Sequence, residues 1–250
     1  MIGERVERKA LSESMNELNQ NMRTMSELAE VALRSATEGF ASPDEFDPQG
    51  VFALDREIFG LREKIVRSCV DIIALHAPVA IDLRTITVSL ETTTDLDRIG
   101  RYSKDIAEVA RRIKEVPAAR RGAAPEGFSR MAELTKALVR QAVEAFLARD
   151  AEAVREVDRA DDVVDDLHDQ LFEETVDRMV KRKMPVDVGA EYILVNRSFE
   201  RVADHAVNIG LHTFYMVTGQ RIRTVGKTHT IPREDGPIAG GDTTNPSPSP

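Results

Sequence analysis

The chain has one cysteine, Cys69, and no tryptophan among its 250 residues. A single thiol cannot form an intrachain disulfide, which fits a reducing compartment. Aromatic residues make up only 5%, so a core must rest on Val, Leu, Ile, Ala and Met. Long hydrophobic runs are missing. No stretch approaches the roughly 18 apolar residues that mark a bilayer span. Residues 1–9 lack the apolar core of a signal peptide, and the expectation is a cytoplasmic protein. Excess positive charge is missing too. The net charge is −9, which disfavours nonspecific nucleic-acid binding. Arg111-Arg112 and Arg120-Arg121 are short basic spots near a predicted helix end, where the dipole favours them. There is no Gly-rich phosphate loop, no Ser-His-Asp or Cys-His arrangement and no Glu-x-x-His pair. These absences argue against an NTPase, a triad hydrolase and a di-iron carboxylate oxidase. Nothing alternates with period two over a useful length, so no sheet is expected.

What the chain does have is helical periodicity. Hydrophobic residues reach 42% and charged residues 31%, a balance that suits amphipathic helices. Leu11, Met15, Leu18, Met22, Met25, Leu28 and Val31 step by three or four and define a first long helix ending near Ala41. The breakers Ser42-Pro43 and Pro48-Gln49-Gly50 follow. A second helix, about 51–76, carries the stripe Leu54, Ile58, Leu61, Ile65, Cys69, Ile72 and Ile73. This places Cys69 as a buried structural thiol. A third helix follows Pro78 with Leu83, Ile86, Val88, Leu90, Leu96, Ile99, Ile106 and Val109. Helices over about 128–148, 151–183 and 188–217 complete the set, the fifth with Asp150 as its N-cap. The spacing predicts an all-α fold of six long antiparallel helices in two three-helix bundles. The units are placed at 8–116 and 126–218, with a Gly/Pro/Ser-rich tail over 219–250 that is too poor in apolar residues to order itself.

One segment concentrates the chemistry. Glu200, Asp204 and Asn208 recur every fourth residue, which on a helix sets them on one face, a turn apart. Two like charges at that spacing repel, so a cation, an arginine or water must offset them. Asp97, Arg101 and Asp105 repeat the spacing at a constant offset of 103 residues. Asp55 and Asp158 keep the same register, as do Leu61 and Val164. A shared offset is the mark of an internal duplication.

Carboxylate and amide oxygens suit Mg²⁺, Mn²⁺, Zn²⁺ or iron. One helix cannot complete a shell. The fifth helix offers the run Asp158, Asp161, Asp162, Asp165 and Asp166, of which Asp158 and Asp162 are the preferred partners. The candidate metal-ligating set is therefore Glu200, Asp204, Asn208, Asp158, Asp162, Asp97 and Asp105. The plain alternative for all of them is a solvated acidic face. In the first motif Arg101 takes the place of an acid, and it predicts an Asp97–Arg101–Asp105 salt-bridge ladder in place of a metal. His205 reads as a half-buried or surface histidine, Arg98 and Arg201 as neighbours that orient or neutralise the acids, and Arg84 with Asp82 as a fold-defining pair.

These residues carry a family likeness. Pro78-Val-Ala-Ile-Asp82-Leu83-Arg84, the run Asp97-Arg98-Ile99-Gly100 and the residues Glu200, Arg201, Asp204, His205, Asn208 and Ile209 resemble the motifs of the PhoU family over about residues 10–217. That resemblance implies a non-enzymatic cytoplasmic adaptor, built from two three-helix repeats. It implies restraint of phosphate uptake and starvation signalling, acting with the ATPase subunit of a phosphate ABC transporter and a phosphate-responsive sensor histidine kinase. It also implies iron or zinc clusters on the paired acidic motifs in some members, and a homodimer. The competing reading is a metal-binding carboxylate bundle acting in oxidation or metal storage.

Overall fold

The computed structural model describes residues 2–121, 124–222, 224–225 and 228–229. Helix α1 spans Ile2–Ala41, beginning well before the apolar stripe that announced it. Its stripe residues Leu18, Met22 and Met25 are fully buried. A 3-10 turn at Pro43–Glu45 follows, then α2 at Gln49–His76 and α3 at Ala80–Glu115. A single helical turn, α4 (Ala118–Arg121), links to α5 (Gly127–Ala148), α6 (Val154–Val180) and α7 (Val186–Thr218). Asp150 is not the N-cap of α6, a place taken by Ala153; its Oδ1 accepts the N–H groups of Glu152 and Ala153 in the turn ahead of that helix.

Helices α1–α3 pack as one triple and α5–α7 as another, and the longest shared seam lies between α3 and α7. Those two run antiparallel, since Arg112 meets Glu191 at one end while Asp95 meets His205 and Glu91 meets His212 toward the other. One continuous apolar cluster runs through both triples. Four of the scarce aromatics gather where the triples meet: Phe40 lies 5.7 Å from both Phe128 and Tyr192, and 6.3 Å from Phe199. Tilted and edge-on pairs of this kind add to the burial energy. Because α3 is covered on several sides, its polar residues are buried as well. Thr85, Ser89 and Ser103 satisfy their hydroxyls on the carbonyls four residues earlier, at 3.0, 2.8 and 2.8 Å.

Several expectations need correction. Ile73 and Leu83 belong to the predicted stripes but lie exposed at the α2–α3 corner, beyond the reach of the neighbouring helices. Arg84 does not pair with Asp82. Its guanidinium lies against Gly219, the left-handed cap of α7, where a side chain on that residue would collide with it. A cation there also suits the negative end of α7. The structural reading of the basic spot at Arg120 and Arg121 stands without correction, since they bind Asp187 and Asp44 at 2.7 and 2.8 Å. The expected absence of any sheet fails only after the bundle, where Thr224 faces His229 and Val225 faces Thr228 in a two-residue antiparallel ladder. Most of the tail expected to be unstructured lies outside the described residues.

Candidate acidic site of the second repeat

Glu200, Asp204 and Asn208 sit on successive turns of α7. Arg201 answers the repulsion between the two acids. Its Nε lies 3.4 Å from Glu200 Oε2, and its Nη1 donates to Asp204 Oδ2 at 2.9 Å. Burial, then Asp204, push the Glu200 carboxyl above its ordinary range, with Arg201 opposing them.

Across from this face stands α6. Its deepest acid is Asp161, only 6% exposed, whose Oδ1 is buried with no hydrogen-bond partner among the described residues. Burial first, then the charges of Asp165, Asp204, Asp162 and Asp158, raise its carboxyl to about 7. Asp165 also acts on Glu200. Asp162 is exposed and Asp158 half-buried, so the acid nearest the heart of the site is one the sequence reading placed in the run without selecting it. The signal was present: Asp161 interrupts the buried stripe Val154, Val157, Val164, Leu167 and Leu171 where an apolar residue belongs.

The first repeat resolves the same geometry differently. Asp97, 7% exposed, lies 3.6 Å from Arg101 Nε. The predicted ladder stops there, because Arg101 does not reach Asp105. Helical side chains lean toward the N-terminus, so Arg101 meets the acid four residues before it and spreads over the Phe59 ring, 6.0 Å from its centre. Lys104 instead serves Asp55, at 3.8 Å. Burial and Glu108 raise the Asp105 carboxyl. Arg98 makes no ion pair among the described residues. Ile58 fills the position equivalent to Asp161 and packs on Gly100, where an added Cβ would stand 2.8 Å from its Cδ1.

Beside the acidic site lies a network that sequence reasoning missed. His205, next to Asp204, is half-buried, as expected. Its Nδ1 sits 2.8 Å from Asp95 Oδ1 on α3, and its ring stacks on Tyr102 at 5.8 Å. His212 stands between two carboxylates, with Nε2 3.2 Å from Asp95 Oδ2 and Nδ1 3.2 Å from Glu91 Oε2. Burial tends to raise the Asp95 carboxyl, but His205 and His212 outweigh it and hold it below its ordinary range. Arg221 closes the chain by donating to Glu91 at 3.2 Å.

Among the described residues, no three His, Cys, Asp or Glu side chains converge to hold a metal ion. The orphaned oxygen of Asp161 is one that a cation would satisfy. Arg201 already supplies positive charge to Glu200 and Asp204, however, and the arrangement is not that of a ready cluster site.

Comparison with known proteins gives this geometry a lineage. The PhoU domain matches the chain twice, at residues 22–110 and 128–213. A phosphate-specific transport system accessory protein PhoU homolog 2 from Mycobacterium tuberculosis is 32% identical over 216 residues, covering 85% of this chain and 98% of that relative. A PhoU homolog from Synechocystis is 30% identical over 222 residues, covering 86% and 94%. The crystal structure of PhoU from Pseudomonas aeruginosa superposes with a TM-score of 0.78 at 27% identity, covering 84% of this chain and 99% of that one. The chain belongs to the PhoU family.

Proposed function

We propose that this protein is a non-catalytic accessory regulator of phosphate transport, restraining uptake and the starvation response when phosphate is plentiful. The observation that carries this reading is the double PhoU match in this chain, beside relatives that it covers almost end to end and whose names place them with a phosphate-specific transport system. Its partners on this reading are the ATPase subunit of a phosphate ABC transporter and a phosphate-responsive sensor histidine kinase. An adaptor without chemistry acts by binding one state of its partner better than another. Apolar side chains left exposed at two helix corners supply contact surface of the kind such binding uses. Leu75, Val79 and Ile81 stand at the α2–α3 corner, and Val180 and Val186 at the α6–α7 corner. No helix among the described residues is long and apolar enough to cross a membrane. On the proposed reading the protein acts beside the transporter, as a cytoplasmic homodimer.

Deleting the gene tests the reading. Phosphate uptake and starvation-response expression are expected to rise in phosphate-rich medium, and both return to normal with the intact gene. Unchanged uptake together with unchanged signalling would refute it. In complementation, aspartates at Leu75, Val79 and Ile81 are expected to fail while leaving the helical fold intact.

A further inference from the structure

A cavity of about 240 Å³ opens between the first half of α1, the end of α5 and the facing ends of α3 and α7. Asn16, Asn19, Gln20 and Arg23 form its α1 wall, and Arg149 stands at the end of α5. The floor is apolar, from buried Met22, Phe146 and Met216. Among the described residues no carboxylate lines it. That is unusual in a chain of net charge −9. Neither the Arg23 nor the Arg149 side chain makes an ion pair or hydrogen bond among the described residues. Two acids close in sequence are engaged elsewhere, Glu17 with Lys64 at 3.2 Å and Asp150 with the backbone N–H groups of Glu152 and Ala153. Arg149 also occupies a left-handed backbone position, φ 56° and ψ 42°, that glycine or asparagine takes more readily.

A second cavity of about 270 Å³ shows what an ordinary charged groove looks like. There Arg34, Lys136 and Arg140 share the walls with Glu30 and Glu133, and Lys136 pairs with Glu133 at 2.7 Å. Two carboxylates offset its three cations in part, whereas the two arginines of the first cavity face no lining carboxylate among the described residues.

Guanidinium groups offer planar donor forks matched to phosphate oxygens. Side-chain amides both donate and accept, as hydroxyl recognition requires. The volume lies below the roughly 300–1,000 Å³ of pockets for drug-sized ligands, which suits a compact molecule. We propose that this cavity binds a small phosphomonoester. Its phosphate lies between Arg23 and Arg149, and its hydroxyl-bearing part rests on Asn16, Asn19 and Gln20 over the Phe146 floor. The assignment stands on the α1–α5 geometry and is separate from the regulatory reading, because it is measured on purified protein and not by uptake.

Isothermal titration of the full chain in low-salt, phosphate-free buffer tests it, with ribose 5-phosphate, inorganic phosphate and ribose as probes. Ribose 5-phosphate is expected to bind, inorganic phosphate to bind more weakly, and ribose to give no signal. The double variant Arg23→Gln/Arg149→Gln is expected to weaken ribose 5-phosphate binding at least about tenfold, with an unchanged melting temperature. Arg34→Gln/Arg140→Gln, in the second cavity, is expected to leave affinity unaltered. Three results would overturn the assignment: no binding at millimolar ribose 5-phosphate, inorganic phosphate binding equally well, or equal losses in the two double variants.

Discussion

The two repeats place the same helices around the same acidic spacing and give it opposite electrostatics. At matched positions the first repeat carries Ile58, Arg62, Arg101 and Lys104, and the second carries Asp161, Asp165, Asp204 and Val207. In the first, cations meet the acids: Arg101 serves Asp97 and Lys104 serves Asp55. In the second, Arg201 alone spans Glu200 and Asp204, and Asp161 keeps a buried, orphaned oxygen. Duplication has preserved the packing positions while the charges on them diverged. A core position tolerates such a change only if the new acid is neutral or finds a partner, and burial raises the Asp161 carboxyl to about 7, so that it ionises far less readily than an ordinary aspartate.

The largest break in this comparison lies at the seam that joins the two halves. Asp95→Ala leaves His205 and His212 without their shared buried carboxylate and is expected to cost about 3 kcal/mol at pH 7, measured by urea unfolding. The sign with pH follows from the lowered Asp95 carboxyl. Its contribution is present above the ordinary carboxylate value and is lost as pH falls through the folded one. Variant and wild type should therefore converge in strong acid.

Asp161→Asn sharpens the contrast from the other side. Because the Asp161 carboxyl is raised to about 7, the stability it confers when protonated drains away between about pH 4 and pH 7. The variant should match wild type near pH 4 and exceed it by roughly 2 kcal/mol at pH 8, a discounted share of the shift. A variant no more stable at pH 8 would mean that the second site already holds its charge without strain.

Arg101→Asp rewrites the first repeat in the image of the second. Asp97 loses its cation and gains a like-charged neighbour, at a cost of roughly 1–2 kcal/mol. Millimolar Mn²⁺ should restore more stability to this variant than it adds to wild type, as a cation bound only by the folded state does. The smallest effect belongs to Arg201→Gln. Its partly exposed pairs are worth about 1 kcal/mol or less. Carboxyl-detected NMR should nonetheless show the Glu200 carboxyl moving further up.

Much of this was legible beforehand, for stated reasons. The stripe Leu18, Met22 and Met25, the fully buried Ile58 and Ile65, and the constant offset between Asp97 and Glu200 follow from periodicity along one helix. What depended on a second helix was not legible. Choosing Asp162 over Asp161 is an error of about 100° around α6, and only the direction of α7 decides it. The Asp95–His205 contact joins residues 110 positions apart and requires the antiparallel register of α3 and α7. The Arg101 ladder failed because side-chain lean, and not spacing alone, sets which acid an arginine reaches.

The claim that the second repeat carries uncompensated acid at its heart is tested most directly by following the Asp161 carboxyl carbon through a pH titration of the full chain by NMR, with Asp161→Asn providing the assignment. The account predicts a midpoint near 7. A midpoint in the ordinary aspartate range, near 4, would contradict it.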